Sequence, residues 1–231
     1  TPIGDEPHVH KYIVERCLPR ARQVWAHIAT IEDTQVALSL LRACGNSGRL
    51  TNVARTVPVE QARRGLQQFD DEQRSAFGHV FGFAPQGPTW DQCTLGTSDG
   101  GLGIRSLIRR SLAGFIGSCL TTAAADEIDP GDMVGFDNAV ERYNAIVPGV
   151  LDLTVDPSSY PKQRHLSSCI DGVVAAGIRA ALLATDARQA ARFATCQLPH
   201  AARWLTCELD FRRGCIMLPE VFSANLRLWL G

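Results

Sequence analysis

Residues 99–110, DGGLGIRSLIRR, place three glycines ahead of an arginine-bearing apolar run, and two readings compete for them. A phosphate loop uses glycines so that backbone N–H groups can approach an anion, with a following helix start to stabilise the charge. A mononucleotide loop also needs a Gly-Lys-Ser/Thr ending, and a dinucleotide loop needs G-x-G-x-x-G directly after a buried strand. Neither is present, and residues 94–98, TLGTS, are too short and too polar for the continuous Val/Ile/Leu strand of a parallel sheet. The stretch is therefore predicted to be a turn that opens a helix.

Its surroundings are helical on both sides. Asp5 can cap a first helix whose first turn tolerates Pro7, with Val9, Ile13, Cys17, Val24, Trp25 and Ile28 near one face and a kink or break at Pro19. Asp33 or Thr34 can cap the next helix, and Gly45 is placed to end it. A long helix follows Pro58, weakened at Gly65, and the Gly/Pro-rich run 82–101 reads as a long loop or boundary. Segments 104–124, 133–147, 162–184, 186–196, 199–208 and 219–230 complete the helical pattern, and strand-like alternation is nearly absent. The expected fold is all-α, a multi-helix bundle in two loosely divided parts, 1–122 and 123–231, separated at the acidic turn DEIDPGD.

Composition narrows the class. With 231 residues, 45% hydrophobic and 20% charged, the chain is long enough for one large or two small cores and is not disordered in character. No uninterrupted apolar window approaches eighteen residues, so no membrane span is expected. The opening TPIGDEPHVHKY has neither the basic nor the apolar region of a secretory signal, which points to an intracellular protein, nuclear or cytoplasmic. It also lacks an initiator Met, as expected of a piece of a longer or trimmed product.

The eight cysteines form no C-x-x-C pair, which favours reduced thiols. Cys196, His200, Cys207 and Cys215 lie within twenty residues, but their spacings match no common zinc finger or knuckle and the intervening segment reads as helix, so no metal or other cofactor is expected.

Charge is uneven. Leu41–Arg64 carries five arginines (42, 49, 55, 63, 64) against Glu60, whereas Asp126–Asp156 carries eight acids against Arg142. That separation suits one face to a polyanion. Catalytic constellations are lacking. Asp70-Asp71 are the adjacent carboxylates closest to a two-metal polymerase pattern, yet their context is helical and reads as a solvated face. No G-x-S-x-G elbow occurs, His165 and His200 sit in helical segments, and Cys119 and Cys169 show no local His partner.

Several stretches in fixed order carry a family likeness: TPIGDEPHV, IEDTQVALSLLRACGNSGRLTNVARTVP, FDDEQRSAFGHVFG with Trp90 beyond it, GGLGIRS, KQRHLSSCID and LRLWLG. Together they resemble the region downstream of the palm in reverse transcriptases of non-LTR (LINE-like) retrotransposons, and the likeness covers nearly the whole chain. In that family a segment of this opening type follows the palm, a helical thumb comes next, and the G-G-L-G element leads into a helical linker. The resemblance implies a thumb-like bundle over 1–122 and a linker-like bundle over 123–231. The family's catalytic Asp residues lie upstream of Thr1, so a non-catalytic, template–primer-binding part is implied, with no enzymatic activity of its own and an upstream polymerase domain as a further partner.

The implied contacts are phosphates of an RNA–DNA hybrid or duplex, and the candidate residues are Arg49, Arg55, Arg63, Arg105, Arg109 and Arg110, with Arg105 and Arg109 four apart on one helix face. Trp25, Phe69, Phe77, Trp90 and Phe115 fall on apolar faces or in the loop rather than beside basic groups, so duplexes are expected to be preferred over single strands. The alternative is a helical protein-interaction or structural module derived from a mobile element.

Overall fold

The computed structural model describes residues 4–45, 47–149, 151–210, 212 and 214–231, and for residues 47 and 49 the backbone alone. Residues 1–3, which open the family-like stretch, lie outside the described residues. Among those described there is no strand, and the fold is all-α. The helices are α1 (Glu6–Tyr12), α2 (Leu18–Ile28), α3 (Thr34–Ala43), α4 (Thr51–Thr56), α5 (Val59–Phe81), α6 (Gly87–Thr94), α7 (Leu107–Asp126), α8 (Phe136–Ile146), α9 (Gln163–Thr185), α10 (Ala187–Cys196), α11 (Arg203–Thr206) and α12 (Pro219–Leu230).

The local signals account for many boundaries. Asp5 accepts from the His8 N–H, and Asp33 accepts from the Gln35 and Val36 N–H groups, each carboxylate satisfying helix-start donors. Pro19 does not break its helix. The chain widens into a π turn over Ile13–Cys17, where the Leu18 N–H donates to the Ile13 carbonyl five residues back. Such a turn eases the clash between a proline ring and the carbonyl four residues earlier. Gly65 is a packing device, because a Cβ there would lie 2.5 Å from Ile13 Cδ1.

Two expectations need correction. The Gly/Pro-rich run contains α6, whose Pro88 sits in its first turn, where a missing N–H costs nothing. Conversely the segment around His200 is mostly turn, with helix only over Arg203–Thr206 and His200 itself at φ 69°.

The chain forms two compact units, each discontinuous in sequence: Thr1–Arg20, Ser47–Asp70 and Ser106–Val173 make the first, and Ala21–Asn46, Asp71–Arg105 and Val174–Gly231 the second. Residue 122 falls inside α7 and within the first unit.

In the first unit, α7 is apolar on nearly every side and therefore central, packing on α4 and α8. Gly114 permits the close approach to α4, and Gly117 permits one to Gln163 at the start of α9. A Cβ would stand 3.3 Å from the Ala54 carbonyl oxygen at the first and 2.9 Å from Gln163 at the second. Leu66, Phe69, Phe136 and Leu166 of the same unit are buried.

In the second unit, α12 packs on α3, α6 and α10. Leu95, Ala175, Ile178 and Phe193 form one cluster, and Phe77 gathers Phe81, Phe83 and Trp90 at centroid distances of 4.5–6.1 Å. α9, with 23 residues and an 18-residue stretch of mean hydropathy 1.6, is long and apolar enough to cross a membrane by length and composition, although Asp171 and Arg179 interrupt its apolar run. Here it contributes Leu166 and Ile170 to the first core and Ala175 and Ile178 to the second.

Candidate functional site

The glycine stretch does not cradle an anion. Gly100 and Gly103 take φ of 82° and 77°, and Gly101 lies so close to α6 that a Cβ would meet the Leu95 and Gln92 carbonyl oxygens at 2.3 and 2.5 Å. The turn folds back over the C-terminal end of α6. There the Gly101 N–H donates to the Gly96 carbonyl (2.9 Å), Gly103 to Leu95 (2.8 Å), and both Leu102 and Ile104 to Cys93 (3.3 Å). The N–H groups that a phosphate would need are engaged by a helix end, and Leu102 and Ile104 are fully buried.

The start of α7 is occupied as well. Ser106 is its N-cap, and its hydroxyl donates to Asp70 Oδ2 at 2.6 Å. The Leu107 and Ile108 N–H groups donate to the same carboxylate at 2.8 and 3.2 Å. Asp70 thus supplies the anion that a helix start favours. The expected solvated face is corrected here: Asp70 is 5% exposed, whereas Asp71 beside it is exposed. Burial pushes the Asp70 carboxyl up to about 6, against the lowering pull of Ser106, the two backbone donors and the Arg109 charge.

The candidate arginines separate. The Arg49 side chain lies outside the described residues. Arg55 and Arg63 are exposed, on α4 and α5, and Arg109 and Arg110 are half-buried on α7, all in the first unit. Arg105 belongs to the second unit and does not share a helix face with Arg109, because α7 begins at Leu107 and Ser106 is extended at φ −71°, ψ 123°. Arg105 instead neighbours Arg42, whose guanidinium is pulled below its ordinary range by burial and then by that second charge.

What the first unit does bring together is Arg63 of α5, Arg109 of α7 and Arg142 of α8, around a cleft of about 170 Å³. Val59, Ile108, Leu112, Ile146 and Ile170 supply its apolar walls. Arg142 was missed because it is the one base in an acidic stretch. It pairs with Glu60, the one acid of the basic stretch, so the two oppositely charged segments meet at this cleft.

Among the described residues, no three His, Cys, Asp or Glu side chains form a group able to hold a metal ion. The expectation that Cys169 lacks a histidine is overturned: His165 Nε2 stands 3.8 Å from its Sγ. The spacing of four on a helix carried that signal. No protein-family model, curated protein or solved structure matches the chain.

Proposed function

We propose that the chain binds the phosphate backbone of a duplex nucleic acid, an RNA–DNA hybrid foremost, through the Arg63–Arg109–Arg142 cleft. In this reading it is the non-catalytic, template–primer-binding part of a reverse-transcriptase-like protein. The observation that carries the reading is the convergence of three guanidinium groups from three helices on one cleft with apolar walls. Guanidinium forks match phosphate oxygens, and apolar walls weaken solvent screening of the contact. Trp25, Phe69, Phe77 and Phe115 are buried, which favours recognition by shape and charge over base stacking. The test is fluorescence anisotropy of a labelled hybrid and the matching single strand, with the full chain at several salt concentrations. Three phosphate contacts give a slope of log affinity against log salt of about −3, with the hybrid bound more tightly than the strand.

The second reading, a helical interaction module, is favoured by Leu218, Val221 and Leu228, which are 69%, 48% and 71% exposed in the second unit. Under it, binding to the hybrid is undetectable even at low salt.

A further inference from the structure

His165 and Cys169 lie one helical turn apart near the start of α9, with the imidazole exposed and the thiol half-buried, so a small molecule reaches both. On α8 the Tyr143 phenol, 3% exposed, hydrogen-bonds Cys169. Burial, and then Cys169 itself, push that phenol above its ordinary range. It therefore keeps its proton and stays a donor to the sulfur. A base within reach and a fixed donor are what a nucleophilic sulfur requires.

Other thiols of the chain are placed differently. Cys93 is fully buried, and burial pushes Cys17, Cys119 and Cys196 up, Cys119 to about 11. Cys207 donates to the Trp204 and Cys215 carbonyls at 3.5 and 3.7 Å. Cys44 is exposed and serves as an internal reference.

We propose that Cys169 is a thiol–disulfide exchange site for small disulfides, with His165 as its proton acceptor. His165 Nε2 takes the thiol proton as Sγ attacks one sulfur of R–S–S–R′. The Cys169–S–S–R bond forms while the original S–S bond breaks, and its electron pair leaves on R′S⁻, which takes the proton back from the imidazolium. One disulfide replaces another, so no further oxidant enters.

The test is peptide mass mapping of the reduced full chain incubated with oxidised glutathione at pH 7. Cys169 forms the mixed disulfide about tenfold faster than Cys44, and His165→Gln brings it down to the Cys44 rate. Because His165 is exposed, that variant keeps its far-UV helix signal and its Cys44 rate. Cys169 reacting no faster than Cys44, or reacting at an unchanged rate in His165→Gln, overturns the proposal.

Discussion

The stretch 100–108 and the Arg63–Arg109–Arg142 cleft both present donors suited to an anion, and they end differently. In the first, every donor described above is engaged within the chain: glycine N–H groups serve the end of α6, and the start of α7 holds Asp70. In the second, three guanidinium groups share a cleft with Glu60 as the carboxylate paired at its edge. A helix start or a glycine turn signals an anion site when its N–H groups are left over by the fold. Here the donors of the turn hold the fold, and the cleft gathers guanidinium groups from three helices.

Substitutions separate the two regions by their effect on folding. Gly101→Ala has the largest effect, because its Cβ meets two carbonyl oxygens of the α6 end; a loss of about 3 kcal/mol or more is expected in urea unfolding. Asp70→Ala leaves the Ser106 hydroxyl, the buried Leu107 N–H and the partly buried Ile108 N–H without their acceptor and costs about 2–4 kcal/mol. Arg63→Ala, at an exposed position, stays within about 0.5 kcal/mol. Equal losses for Asp70→Ala and Arg63→Ala would erase the contrast.

Acidity sharpens it. The Asp70 carboxyl titrates near 6 when folded and near 3.9 when unfolded, so the native state holds the proton more tightly. Its contribution is fully present below the unfolded value and lost as pH rises through about 6, to the extent of about 3 kcal/mol at most. Wild type should therefore lose stability relative to Asp70→Asn between about pH 4 and pH 7. A difference that is flat across that window would contradict the burial of the carboxylate. The smallest effect is at the cleft edge. Glu60→Gln releases Arg142 and should tighten hybrid binding by about two- to fivefold, with unfolding nearly unchanged.

Helix positions were largely legible because period and caps act locally: Asp5, Asp33 and the apolar faces of α3, α5 and α7 needed no partner to be read. Asp70 was not legible. A polar run around FDDEQ looks solvated until Ser106, thirty-six residues away, is brought to it. α6 hid in glycines and prolines, although a proline in a first turn is compatible with a helix. The two compact units, each built from separated segments, were not legible, since nothing local marks which half of α5 or α9 joins which core. Arg142 was masked by eight acids around it, and the Arg105–Arg109 pairing rests on a helix expected from residue 104, whereas α7 begins at Leu107. The His165–Cys169 pair, expected to be absent, is carried by a spacing of four on one helix.

The most direct measurement is the salt dependence of hybrid binding by the wild-type chain and by Arg63→Ala/Arg109→Ala, followed by anisotropy. The expected result is a slope of log affinity against log salt that flattens by about one to two units in the double variant, two phosphate contacts having been removed. An unchanged slope, or no wild-type binding at low salt, would contradict the assignment of the cleft to phosphate.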